Sequence, residues 1–232
     1  MSSHQENDTQ HFDSLAAEWW DTQGKFKVLH QVNPLRLSFM QKQDSLQGKR
    51  ILDIGCGGGI LSEALVKLGA EVVGLDLSQN TIAVAKQHCA QNNLAIEYHC
   101  QSAQDFAAQN PKPFDIICCF EMLEHVDDPA DVIQSAKKML NPQGTFFAST
   151  LNRNLLSWLF AVVVAENVLN WIPKGTHNHG KFIQPSELTA MARKAGFYFT
   201  HSNGIIWDPL TQSFALSEKR VEINYICRFT NL

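Results

Sequence analysis

Two stretches of this 232-residue chain hold residue types whose spacing could do chemistry. The first is ILDIGCGGG, Ile51 to Gly59, an apolar strand pattern that runs into a loop with Gly55, Gly57, Gly58 and Gly59 before a helical pattern begins. Glycines gather where a backbone must turn sharply and let a ligand press against it with no Cβ in the way. Asp76 closes the next strand pattern, 21 residues after Gly55. From there a carboxylate accepts hydrogen bonds from both ribose hydroxyls of an adenosine ligand. The second stretch is FEMLEHV, Phe120 to Val126, with Glu121, Glu124 and His125 at i, i+3 and i+4. Turned helically, it puts all three on one side. His125 then serves as a general base, or the two carboxylates and the imidazole hold a divalent ion, for which magnesium or manganese suits oxygen-rich ligation. A helix start without chemistry is the third reading.

These residues need a frame that sets them at one edge. Short β-rich apolar runs at 50–55, 71–76, 95–100, 114–120 and 144–150 alternate with helical patterns at Ile60–Leu68, Thr81–Asn92 (after a capping Ser78) and Pro129–Leu140 (after Asp127 and Asp128). Such alternation with short loops predicts an α/β fold with parallel strands and right-handed crossovers. After Thr150 the rhythm changes. A helix over Asn154–Trp171 stopped by Pro173 is followed by a helix at Pro185–Ala195 and by two closing strands, FYFTHSNGIIW and EINYICRF. The expected architecture is a doubly wound, mostly parallel seven-stranded sheet with helices on both faces. It forms one domain over 1–232, with an N-terminal helical cover (12–47, from Phe12–Asp21 and Pro34–Leu46), a cofactor-binding core (50–150), a hydrophobic helical insertion after strand five (152–181) and a C-terminal helix and strand pair (184–230). Ligands in such folds bind at the carboxyl edge of the strands.

Composition narrows the function. A net charge of −4 and a pI near 6.1 offer no positive field for nucleic acid. None of the six cysteines falls in a C-x-x-C spacing, so they read as reduced thiols, mostly filling the core. The polar start MSSHQENDTQ lacks a basic region followed by an apolar stretch, which predicts a cytoplasmic protein. The apolar run Leu155–Ala165 is far short of the roughly 20 residues that cross a bilayer.

The glycine spacing separates two cofactor classes. A dinucleotide loop reads G-x-G-x-x-G, but the third place is Ile60 counted from Gly55 and Ser62 counted from Gly57. The pattern here is G-x-G-x-G after Asp53, and it resembles the first motif of class I methyltransferases, whose ligand is S-adenosylmethionine. That resemblance implies that Ser102 and Ala103 lie beside the adenine and that Phe120 lines the cofactor pocket. Three further blocks, WWDTQGKFKVLHQVNPLRL (19–37), FEMLEHVDDP (120–129) and STLNRNLLSW with PKGTHNHGKFIQP (149–158, 173–185), together resemble the ubiquinone-biosynthesis O-methyltransferases. The resemblance runs from about Phe12 to Tyr225. It implies methylation of ring hydroxyls on a polyprenylated catechol and on a demethylubiquinol, with Arg36 at a position that holds the cofactor's carboxylate. A guanidinium fork suits that partner. Relatives from other lineages are thought to need a divalent metal, which sharpens the question asked of Glu121, Glu124 and His125.

The segment 154–175, flanked by Arg153 and Lys174, reads as an interfacial anchor and gate on the inner face of the cytoplasmic membrane, with Trp158 and Trp171 near the headgroups. A lid helix or an interface is the competing reading. A biosynthetic complex is a further expected partner. His177 and His179 are second-choice substrate contacts, and Trp19 and Trp20 either close over the cofactor or pack in the core. The rivals to this function are a methyltransferase acting on another small phenol, a non-catalytic scaffold that binds the same cofactor, and a dehydrogenase.

Overall fold

The computed structural model describes residues 3–158, 179–208 and 210–231. It is built on an eight-stranded sheet in the order β3-β2-β1-β4-β5-β8-β6-β7. β1 (Arg50–Ile54), β2 (Glu71–Asp76), β3 (Ile96–Cys100), β4 (Phe114–Phe120) and β5 (Leu140–Leu151) run parallel. β8 (Asn224–Asn231) joins β5 antiparallel, β6 (Phe197–Asp208) joins β8, and β7 (Ser213–Ser217) closes the edge as a hairpin with β6.

The central strands are apolar at nearly every position because the sheet is covered on both faces. On one face Leu52, Ile54, Ile117, Cys119, Phe146 and Phe229 pack against α5 (Ala103–Ala108), α6 (Pro129–Met139) and α8 (Pro185–Lys194). Residues an odd number of positions away, Ile51, Ile116, Cys118, Phe147 and Ile226, face α2 (Lys27–Gln43) and α3 (Ile60–Lys67). The period of two along each strand thus fills two cores.

Local chemistry starts the helices where the sequence says. Ser78 Oγ accepts the Thr81 N–H at the head of α4 (Gln79–Gln91). Asp128 accepts from Ala130 and Asp131 before Pro129 opens α6, since an N-cap oxygen satisfies amides that have no partner within the helix. The N-terminal cover is α1 (Ser3–Leu15), a 3-10 turn at Ala16–Glu18, and α2, which carries Pro34 inside it.

Three features differ in detail from the sequence reading. The strand β7 makes eight strands instead of seven, because SFALS is short and partly polar and pairs only once β6 presents an edge. α1 begins earlier than Phe12, and α2 begins before Pro34. The insertion is described only at its stems, the helical turn α7 (Leu155–Trp158) and a 3-10 turn at His179–Lys181. The rest of the stretch read as an anchor, with Trp171, Lys174 and His177, lies outside the described residues, as do the side chains of Trp158 and His179. No helix among the described residues is long and apolar enough to cross a membrane. All six cysteines are free, and only Cys100 is exposed.

Candidate active site

The glycine loop is bent by its own backbone. β1 neighbours both β2 and β4, so the order in which strands are added reverses at β1 and a crevice opens at its carboxyl end. Gly55 and Gly57 have φ of +74° and +52°, a left-handed backbone that a Cβ would strain. The amides of Gly55 and Cys56 both donate to the Leu75 carbonyl, at 2.8 and 2.9 Å. This ties the loop to the end of β2, where Asp76 sits. Asp76 Oδ2 accepts the Gly57 N–H at 2.9 Å and Oδ1 accepts the Ser78 N–H at 2.9 Å. Burial pushes this carboxyl above its ordinary pKa while the amides pull it down. Each oxygen keeps a lone pair for a further donor.

A second carboxylate lies beneath the loop. Asp53 is buried and accepts the Ser62 hydroxyl at 2.6 Å, and burial pushes its pKa up to about 6. The loop is roofed from the cover: a Cβ on Gly57 would lie 2.1 Å from the Trp19 ring, and one on Gly58 would lie 2.2 Å from it. Trp20 donates its indole N–H to the Gly58 carbonyl at 2.9 Å and stacks on His88, ring centroids 3.5 Å apart. Glycine is therefore needed here for close approach as well as for φ.

Ser102 caps α5 by accepting the Asp105 N–H at 3.0 Å, and Ala103 is buried behind it. Phe120 ends β4 with the Arg36 guanidinium 5.4 Å from its ring centroid. Arg36 reaches in from α2, is only 6% exposed, and has a buried Nε without a partner. Burial lowers its pKa against the pull of Glu121 and Asp53. Arg36, the residue that the family resemblance matched to the cofactor's carboxylate, is thus held inside the crevice.

Glu121 follows β4 with φ +52°, an uncommon conformation for a residue with a side chain and one that aims it off the strand. Its N–H donates to the Ser149 carbonyl at 3.0 Å. Its Oε1 accepts from Ser149 Oγ at 3.0 Å and from Asn224 Nδ2 at 3.1 Å, with Arg36 at 3.7 Å. Leu123–His125 forms one 3-10 turn, and this separates the three residues that the i, i+3, i+4 spacing grouped. Glu121 and His125 line the cavity, and Glu124 does not. Glu124 turns into the core, 4% exposed, and neither of its oxygens has a hydrogen-bond partner. Burial, reinforced by Glu121, pushes its pKa up to about 8. His125 meets Phe12 edge-on, ring centroids 5.4 Å apart. The expected three-residue metal site is accordingly not formed in this arrangement, and no group of three His, Cys, Asp or Glu side chains among the described residues is set to hold an ion. The tight turn spaces side chains by 120° and sends the middle one inward.

One cavity of about 750 Å³ is lined by all of these parts: Gly55, Gly57, Asp76, Ser102, Ala103, Arg36, Phe120, Glu121 and His125. Every cofactor-binding residue picked from the sequence lines it. Sequence reasoning missed Ser149 and Asn224, the partners of Glu121. Ser149 offered a weak signal, a polar residue in the buried second half of β5, whereas Asn224 opens a strand that also carries Arg228, Thr230 and Asn231 and offered none.

Known proteins resemble this chain in sequence and in fold. A methyltransferase domain family model matches residues 31–202. A ubiquinone biosynthesis O-methyltransferase of Idiomarina loihiensis is 49% identical, over 93% of this chain and 88% of that protein. One from Hydrogenovibrio crunogenus is 48% identical, over 94% and 90%. The chain belongs to the ubiquinone biosynthesis O-methyltransferase family. Among solved structures, the Synechocystis magnesium protoporphyrin IX methyltransferase with bound SAM aligns with a TM-score of 0.67 at 16% identity, over 100% of this chain and 99% of that one. The Bradyrhizobium japonicum N-methyltransferase NodS, in complex with S-adenosyl-L-homocysteine, aligns at 0.65 and 16%, over 97% and 98%. At such identity these two speak for the fold alone, and the fold of this family member is that of the class I methyltransferases.

Proposed function

We propose that this chain methylates ring hydroxyls of polyprenylated catechol and demethylubiquinol intermediates of ubiquinone biosynthesis, with S-adenosylmethionine as donor. The observation that carries the reading is a single cavity joining the glycine loop and Asp76 to Glu121 and His125, in a chain 49% identical to a ubiquinone biosynthesis O-methyltransferase.

The residues present suit the donor. Asp76 has acceptor capacity left on both oxygens for the ribose hydroxyls, and Gly55 and Gly57 leave room for the amino acid portion. Arg36 Nε, buried without a partner, suits the carboxylate at its end. Ser102, Ala103 and Phe120 flank the base and the body of the nucleoside. When bound, that donor supplies an electrophilic methyl group on a sulfonium.

The chain's own task is to hold the acceptor oxygen in line at about 3–3.5 Å and to exclude water. A phenol of pKa ~10 is a weak nucleophile until its proton leaves. His125 lines the cavity and takes that proton as general base. Glu121, fixed by Ser149 and Asn224, orients the acceptor. Glu124, buried behind them, supports the turn.

A second reading rests on one observation, the two unpartnered oxygens of Glu124. Rotated toward Glu121 and His125, they would complete an oxygen-rich set of the kind magnesium or manganese takes. Assay in excess chelator separates the two. Loss of activity restored by added magnesium favours the ion, and unchanged activity favours the base alone.

The segment 154–175 is read as a peripheral membrane contact on the inner face of the cytoplasmic membrane. Its apolar sequence supports this, and so does Leu155 at its start, 75% exposed. Liposome co-sedimentation tests it, and a chain that stays in the supernatant is not anchored there. The reaction itself is tested by methyl transfer from a radioactive donor to a short-tailed catechol and to a demethylubiquinol. Transfer to neither, by protein that binds S-adenosylhomocysteine, overturns the proposal.

A further inference from the structure

The two donors that hold Glu121 differ in what they have left to offer. Ser149 gives its hydroxyl at 3.0 Å and Asn224 gives Nδ2 at 3.1 Å, both to Oε1. Ser149 is wholly buried, and its only side-chain proton is used in that bond. An amide carries an oxygen beside its nitrogen, and here the carboxylate decides which is which. Turned over, Asn224 would set Oδ1 against Glu121, acceptor against acceptor. Oδ1 is therefore turned away from Glu121, and it can only accept. It is buried and has no hydrogen-bond partner among the described residues. Folded chains rarely leave a buried oxygen so, because the hydration it loses is not replaced.

The strand neighbours of Asn224 supply no donor from their side chains. Asn224 opens β8 with its backbone fixed on both sides, opposite Leu151 of β5 and Ile205 of β6. Leu151, Ile205 and the preceding Ile223 line the cavity together with Asn224 and Glu121, and all three are aliphatic. A polar group that enters the cavity and reaches Glu121 comes beside the same amide, since Glu121 and Oδ1 are linked through it.

We infer that Asn224 reads the hydroxyl next to the one that is methylated: with the reacting hydroxyl oriented at Glu121, a second hydroxyl on the adjacent ring carbon donates to Asn224 Oδ1. The inference rests on the proposed reaction and deepens it, since it names what distinguishes a catechol from a simple phenol at this site. A catechol sets two hydroxyls on neighbouring carbons, and Glu121 with Asn224 sets two acceptors side by side. A simple phenol meets the first and leaves Oδ1 unpaired, and a site that holds a buried acceptor for a substrate hydroxyl rejects the analogue that lacks it.

The test uses the full chain and two acceptors, a catechol with a short prenyl tail and the phenol in which hydrogen replaces the hydroxyl that is not methylated. By kcat/KM the wild-type chain is expected to favour the catechol ~tenfold or more, and Asn224→Ala to shrink that preference ~tenfold, the size of one lost hydrogen bond. Ser149→Ala also loosens Glu121 but takes nothing from the second hydroxyl, so it should slow both acceptors alike and keep the preference. Comparing the two acceptors within each variant cancels the loosening of Glu121 and the difference in their acidity. No preference in the wild-type chain, a preference that survives Asn224→Ala undiminished, or one that Ser149→Ala reduces as much, would overturn the inference. A wild-type chain that methylates neither acceptor would instead overturn the reaction. Should Asn224→Ala not fold, the wild-type chain is given analogues with an amino group or a fluorine in place of the second hydroxyl. The amino analogue still donates and is expected within about threefold of the catechol, and the fluoro analogue ~tenfold below it. A fluoro analogue as good as the catechol refutes the role assigned to Asn224.

Discussion

The two ends proposed for the cavity are built in different ways. At the proposed cofactor end, Asp76 is held by the amides of Gly57 and Ser78, all within a few dozen residues of chain and largely through backbone. At the proposed acceptor end, Glu121 is held by Ser149 and by Asn224, 103 positions away, and is flanked by Arg36 from α2. There the backbone is strained at Glu121, and the Glu124 carboxylate is buried without a partner. On the proposed reading, a donor common to a large fold class would be met by local backbone geometry, and an acceptor particular to one family by side chains gathered from four distant elements.

If this division holds, substitutions at the two ends should separate binding from chemistry. The largest effect is expected for His125→Ala, a fall in kcat of ~10²–10⁴-fold, the range for loss of a general base. Calorimetry should find its affinity for S-adenosylhomocysteine unchanged. Equal loss of affinity would dissolve the contrast between the ends.

Asp76→Ala should do the reverse. Loss of two charge-assisted hydrogen bonds to the ribose is expected to weaken the nucleoside about 100-fold or more in the same titration. A wild-type dissociation constant would remove Asp76 from the cofactor end.

Asp53 sharpens the comparison through pH. Its folded pKa, about 6, lies above its ordinary 3.8, so the unfolded chain ionises first. Its contribution favours the folded state below pH ~4 and is lost as pH rises through 6. Asp53→Asn should therefore stabilise the ligand-free chain at pH 7.5 by on the order of 2–3 kcal/mol and have almost no effect at pH 4. Denaturant melts at the two pH values measure this. A gain of equal size at both would mean that ionisation is not the cause.

The smallest effect is expected for Gly57→Ala. A side chain at φ +52° and within 2.1 Å of Trp19 should cost ~1–2 kcal/mol of stability and displace the cover. Tryptophan fluorescence should report that displacement, and an unshifted spectrum would argue that the roof does not rest on this glycine.

Legibility follows the same division. The strand 114–120 and the cap at Ser78 could be read because each depends on neighbours within a few residues. The turn at Leu123–His125 could not, since three residues of 3-10 geometry leave no periodic signal, and the spacing that suggested a shared face assumed an α-helix. β7 escaped because a short edge strand needs a partner more than a propensity. Arg36 was legible as a functional residue only through family resemblance, while its burial came from the way α2 crosses the sheet.

The sequence by itself determined the alternating strands and helices, the bend of the glycine loop and the carboxylate at the end of β2. Local sterics, caps and hydrophobic period act along the chain. Only the tertiary structure decided that Asn224 meets Glu121, that Glu124 turns inward while His125 faces the cavity, and that Arg36 reaches the same cavity from α2. Those contacts join strands and turns remote in the chain, and their energies exist only once the sheet has set its order.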